Sequence, residues 1–235
     1  MQEVMAATPE GTLNSNIAKE LVWRRNAPYF YQTLYAQELE WPSLCVEWWV
    51  NENEGVSDSN DEYRLCHLFY GTHTSGEEKN SLIMAKVYLP NQVALKRQLK
   101  DRPLRPSETI RKNDESMADK IVVQHQIEHD GEVNRIRHHP KRTNLIATRT
   151  PLGHIHIFDK IRFGTASKSV KPIRVQPSLV LSGHETEGYS LEWNPHKEGQ
   201  LLAGSYDGKL SIWDISSREE SNQIRPLTYF NFHNS

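Results

Sequence analysis

His184, Ser205, Asp207 and Trp213 carry residue types from which a hydrolytic relay can be built. In such a relay an imidazole takes the proton of a hydroxyl nucleophile while a carboxylate orients the ring. The spacing argues for a different use. Asp207 stands in a Tyr-Asp-Gly turn, Trp213 closes the alternating run that follows, and no Gly-x-Ser-x-Gly elbow is present. The four residues read instead as a buried structural network, with Ser205, Asp207 and Trp213 converging on His184 from the middle strand, the turn and the next strand. Each orphaned member of such a network would cost roughly 1–3 kcal/mol. His154 and His156 are two apart on one strand face and could chelate a metal, but no third ligand accompanies them. With no nucleophile–base pair and no ligand cluster, no enzyme activity, catalytic residue, metal or cofactor is expected.

The elements that position these residues lie in the stretch from Gly183 to Ile215. It opens on Gly-His, closes on Trp213-Asp214-Ile215, and holds three short runs separated by turn signals. That is the sequence mark of a four-stranded propeller blade. A shift of 55 residues repeats it. The shift places His129 on His184, Glu132 on Glu187, Pro140 on Pro195, Gly153 on Gly208, Ile157 on Ile212 and Asp159 on Asp214. Thr150 falls on Ser205 and Phe158 on Trp213, whereas Leu152 replaces the turn Asp207. The second copy is therefore a blade with a degenerate network. The fold class is all-β: a WD40 propeller of about three four-stranded blades, partial relative to seven, behind an N-terminal helix.

Composition bounds the rest. The chain of 235 residues is 37% hydrophobic with a formal charge of −2, which suits a globular protein and argues against general nucleic-acid binding. No apolar run approaches the roughly 20 residues of a membrane span, and no secretory signal is visible in the first residues. Cys45 and Cys66, the two cysteines, read as small core residues in a reducing compartment.

In chain order, residues 1–15 are polar and 16–28 carry a helical pattern, with Ile17, Leu21 and Val22 on one side and Pro28 ending it. Blades are expected at 39–129, 130–184 and 185–233. The run Leu39 to Val50 reads as a strand with Leu44, Val46 and Trp48 on one face. Residues 51–62 form an acidic loop, and 91–119 a basic insertion that carries Lys96, Arg97, Lys100, Arg102, Arg105, Arg111 and Lys112. Ile224 to Phe232 is expected to be the outer strand of the third blade.

With LEWPSL, GTHTS, HDGEVNRIR, ATRTP, GHETEGYSLEWNP and SIWDI in hand, the chain from about Leu21 onward resembles the histone-binding WD40 proteins of the MSI1 and retinoblastoma-binding type. The resemblance implies a non-catalytic nuclear scaffold within chromatin assembly, acetyltransferase, deacetylase or Polycomb complexes. It implies two peptide sites. One is a side groove for a histone H4 helix, with Leu21, Trp23, Tyr29, Phe30 and Leu34 on its near wall. The other is an acidic top face for the histone H3 tail, at Glu40, Trp41, Glu132, Asn134, Glu187 and Tyr189. The residues themselves support the second: Glu132 and Glu187 are repeat mates on equivalent loops, and Tyr189 offers a ring to a guanidinium. The chain departs from the family in carrying three blades of seven and a basic rather than acidic insertion. Neither a membrane nor sequence-specific nucleic acid is an expected partner. Rival readings are a generic WD40 adaptor such as a ubiquitin-ligase substrate receptor, a protein that contacts nucleic acid through its basic loops, and a truncated, non-functional propeller fragment.

Overall fold

The computed structural model describes residues 9–31, 34–49, 63–91, 121–164, 171–216 and 223–231. The acidic loop, and the basic insertion apart from Asn91, lie outside them. The described residues fall into two compact units, one holding helix α1 (Pro9–Phe30) and the other the β-sheets. The helix is longer at both ends than capping signals and Pro28 suggest. Pro9 lies in the first turn, where a missing N–H breaks no bond. Pro28 falls in the last turn, where it forfeits one, and the Tyr31 amide still donates to the Ala27 carbonyl at 2.9 Å. Between them Ala18, Lys19, Glu20 and Leu21 are good helix formers, and Arg24 pairs with Glu20 at 2.6 Å.

The first sheet is a meander of β1 (Val46–Trp49), β2 (Tyr63–Gly71), β3 (Ser81–Pro90) and β4 (Ile121–Glu128). The strand expected over Leu39 to Val50 is shorter, because Pro42 cannot join a ladder as donor and its carbonyl is taken by the His73 amide at 2.8 Å. Leu44, Val46 and Trp48 do share a face, but it is the exposed one; Cys45 and Trp49 point into the core. Trp49 donates to the Thr143 carbonyl of the next sheet and lies under the Lys160 ammonium, 3.3 Å from its ring centre. Both cysteines are free thiols; burial pushes Cys45 up to about 11, and its thiol donates to the Val133 carbonyl.

The second sheet contains β5 (Arg135–His138), β6 (Leu145–Arg149), β7 (Ile155–Asp159) and β8 (Leu179–Leu181). The third contains β9 (Ser190–Trp193), β10 (Gln200–Gly204) and β11 (Lys209–Asp214). Past them the chain corrects one expectation. Gln223–Ile224, as β12, adds a parallel fifth strand to the second sheet, and only β13 (Thr228–Asn231) edges the third. Pro226 divides the two strands: it lacks an amide and packs where a Cβ on Gly183 would stand, 2.7 Å away.

Two apolar clusters join the sheets. Phe69, Leu82, Met84 and Ile127 of the first meet Ile136, Ile146 and Phe158 of the second. Ala147, Ile155, Ile157 and Leu181 on the other side of the second meet Leu191, Trp193, Leu201 and Trp213 of the third. The alternation along β5 to β7 is thus consumed on both faces, which is why those strands read as nearly continuous apolar runs.

The histidine networks are built differently in the two repeat copies. His184 Nδ1 lies 3.0 Å from Asp207 Oδ2, and the ring packs edge-on against Trp213. Ser205 and Trp213 bond elsewhere: Ser205 Oγ donates to the carbonyls of Thr186 and Glu187, and the Trp213 indole to the Ser182 carbonyl. The second nitrogen of His184 faces the Ala203 carbonyl at 3.3 Å. Both nitrogens therefore face acceptors, while burial lowers the ring's pKa and disfavours the imidazolium that would serve both. In the second sheet the partners are inverted. His129 Nδ1 faces the Gly131 carbonyl, and Nε2 faces Thr148 Oγ1, each at 2.9 Å, so one neutral tautomer satisfies both. Thr148, not Thr150, supplies the hydroxyl, and its repeat mate is Ala203. Each copy keeps one half of a complete network.

Two outcomes follow for stability. Replacing buried Thr148 with isosteric Val removes the hydroxyl that His129 accepts from, and urea unfolding should report a loss of about 1–2 kcal/mol. His156 packs 5.6 Å from the His129 ring, and burial pushes it down to about 4. A base with a depressed folded pKa binds its proton more readily when unfolded, so its contribution is intact above pH 6.5 and lost as the pH falls towards 4. Unfolding free energies measured across that window should fall by about 2 kcal/mol, and His156→Phe should flatten the slope.

Candidate functional site

Innermost strands β1, β5 and β9 lie side by side, and the loops entering β5 and β9 carry the repeat-related acids. Ties between these loops and strands hold the site. The Arg137 guanidinium donates to Glu47 of β1 at 3.0 Å and to Glu192 of β9 at 2.8 Å, while His138 meets Glu47 at 2.8 Å. Arg135 donates to the Tyr189 carbonyl at 2.7 Å.

Three of the predicted top-face residues come together directly. Asn134, 2% exposed, donates to Glu187 Oε2 and to the Gly188 carbonyl, both at 3.4 Å. Tyr189 offers its hydroxyl to the same Glu187 oxygen at 3.5 Å. Burial, the Glu187 carboxylate and Tyr206 all push the Tyr189 hydroxyl above its usual range, with a smaller push from Glu132. It therefore stays a neutral donor at physiological pH. Glu132 lies 3.6 Å from His73 Nε2. The described contacts do not join Glu40 or Trp41 to this group: Glu40 is exposed, and the Trp41 indole donates to Glu78 at 3.3 Å. On α1, Leu21, Trp23, Tyr29 and Phe30 are exposed, as is Leu34 beyond it, and the Trp23 and Tyr31 rings stand 6.3 Å apart.

Sequence reasoning passed over two residues here. Arg149 ends β6 fully buried and donates to the Gly204 carbonyl at 3.2 Å, with Nε and Nη1 left unpartnered among the described residues. Burial pushes its guanidinium down to about 10 against the pull of Asp207. Its room exists because Gly188 has no side chain: a Cβ there would stand 2.2 Å from the Gly204 carbonyl oxygen and 2.9 Å from the guanidinium. The repeat shift pairs Arg149 with Gly204, a contrast that could have flagged it. The other residue is Tyr206, exposed in the turn after β10, with its ring 6.0 Å from that of Tyr189.

The assembled site is a pair of acids in repeat-related loops, one fixed by an amide and a phenol, beside exposed aromatic rings. It offers hydrogen-bond acceptors and ring faces, which suits a cation. Residues 18–91 match the family of histone-binding protein RBBP4, a component of the CAF1 complex. This is the family to which the chain is related. It is 33% identical to histone acetyltransferase type B subunit 2 of Mycosarcoma maydis, across 90% of the chain and 49% of that protein. It is 34% identical to WD-40 repeat-containing protein MSI3 of Arabidopsis thaliana, across 91% of the chain and 47% of that protein. The chain thus spans about half the length of these relatives, and its sheets are blades of a partial WD40 propeller.

A buried cation with one hydrogen bond and two idle donor groups adds little stability. Arg149→Met should therefore leave the urea-unfolding free energy within about 1 kcal/mol of the parent, or raise it. A loss of several kcal/mol would mean that the guanidinium is held by more than the Gly204 carbonyl.

Proposed function

We propose that this protein is a non-catalytic histone-binding scaffold that works in the nucleus within chromatin-assembly or chromatin-modifying complexes. The acidic end of the blades, at Glu132, Asn134, Glu187 and Tyr189, takes a basic peptide of the histone H3 type. A face of α1 with Leu21, Trp23, Tyr29 and Phe30, continued by Leu34, takes a helix of the histone H4 type. Glu40 and Trp41 extend the acidic site.

The observation that carries this reading is the Asn134–Glu187–Tyr189 group, repeated in outline by Glu132 in the neighbouring loop. A carboxylate already oriented by an amide and a phenol loses little freedom on receiving a cation, so more of the interaction appears as affinity. A charge-assisted hydrogen bond contributes roughly 1.5–3 kcal/mol. The exposed apolar side chains of α1 support the second site, since a helix that leaves Leu21, Val22 and Phe30 in water presents anchors at helical spacing. The match of residues 18–91 covers this helix from Ala18 onward.

Fluorescence anisotropy with labelled histone H3 tail and H4 helix peptides tests both sites. The double variant Glu132→Lys, Glu187→Lys should weaken the H3-type peptide by at least about tenfold, in a salt-sensitive way, and leave the H4-type peptide unchanged. Equal affinity of parent and double variant for the H3-type peptide would remove the acidic face from the function.

A further inference from the structure

Tyr206 is used neither by the blade's structure nor by the reading above. It is 72% exposed, on a turn where a polar residue would be better solvated. Its amide donates to the Glu187 carbonyl at 3.0 Å, which ties the turn to the acidic loop. Its ring stands 6.0 Å from the Tyr189 ring at an interplanar angle of 64°, so the two rings make a corner rather than a stack. The Tyr189 hydroxyl points to Glu187 Oε2, which places the carboxylate at the edge of this corner. Under the repeat shift Tyr189 falls on Asn134 and Tyr206 on Pro151. The neighbouring blade therefore builds no such corner beside Glu132.

We propose that Tyr206 is a specificity-determining residue: with Tyr189 and Glu187 it forms a notch that accepts an arginine side chain in preference to lysine. The inference rests on the basic-peptide reading of this face. The chemistry separates the two cations. A guanidinium is flat, weakly hydrated and able to lie on one ring while its N–H groups reach a carboxylate at the edge. An ammonium is compact and strongly hydrated, and gains the carboxylate without the ring. Removing Tyr206 should therefore cost arginine binding and leave lysine binding where it was. The Glu132 side of the face has a carboxylate without the corner and should treat the two cations alike.

The test uses the full chain and two fluorescein-labelled peptides that are identical except for one central Arg or Lys in a Gly/Ala background. Expected are a preference for Arg of about tenfold in the parent, a fall to about twofold in Tyr206→Ser with Lys affinity unchanged, and retention of the preference in Tyr206→Phe. An unchanged Arg/Lys ratio in Tyr206→Ser would overturn the role of Tyr206 while leaving the acidic face intact. Equal loss of both peptides would overturn it too, by showing a general effect on the loop. Failure of the parent to bind either peptide would sink the basic-peptide reading and this inference with it. A thermal midpoint within about 2 °C of the parent checks that the variant is folded, as expected for an exposed turn side chain.

Discussion

Everything at the acidic end depends on the face-to-face burial of one four-stranded sheet against the next. Ile155, Ile157 and Ala147 on one side and Leu191, Trp193 and Leu201 on the other exclude water from the junction. At about 25 cal/mol per Å² of apolar surface removed from water, such a junction outweighs any single polar tie across it. The polar ties set register rather than strength. They connect residues at or near the repeat distance: Arg137 to Glu192, Arg135 to the Tyr189 carbonyl, Arg149 to the Gly204 carbonyl and Asn134 to Glu187. Equivalent positions of adjacent sheets touch because innermost strands lie side by side, so a repeat in sequence becomes a neighbour relation in space.

The division of the histidine network shows how a repeat can erode without losing its shape. The second sheet keeps the hydroxyl partner, Thr148, and lacks the carboxylate; the third keeps Asp207 and lacks the hydroxyl. Burial alone would raise the Asp207 carboxyl, but hydrogen bonds from His184 and from the Lys209 and Glu185 amides outweigh it and hold it below its usual range. Each copy retains enough satisfied polar contacts to keep its histidine buried, and the apolar junction does the remaining work of holding the turn in place.

The acidic site inherits its geometry from that scaffold. Gly188 lets the loop pass close enough to Gly204 for the two blades to share the Arg149 guanidinium, and the same close passage sets Glu187 beside Asn134. Tyr206 reaches Tyr189 only because its amide is bonded to the Glu187 carbonyl. Side chains that meet the ligand are thus carried by loops, while their placement comes from sheet packing beneath.

Much of this was legible in the chain itself. The shift that superposes His129 on His184 and Glu132 on Glu187 located the second and third sheets, because turns with Gly153 and Gly208 at positive φ and strands of alternating pattern are local features. The presence of a helix near the N-terminus was legible for the same reason. What the residues could not say was which face of a strand lies inward. Leu44, Val46 and Trp48 look like a core face and are the outer one, since a period of two is the same whichever side is buried, and only the neighbouring sheet decides. Nor could they say that Ile224 joins the second sheet, that Thr148 rather than Thr150 meets His129, or that Tyr206 stands over Tyr189. Those are contacts between segments distant in sequence, and their partners are chosen by how the sheets stack, which no local pattern encodes.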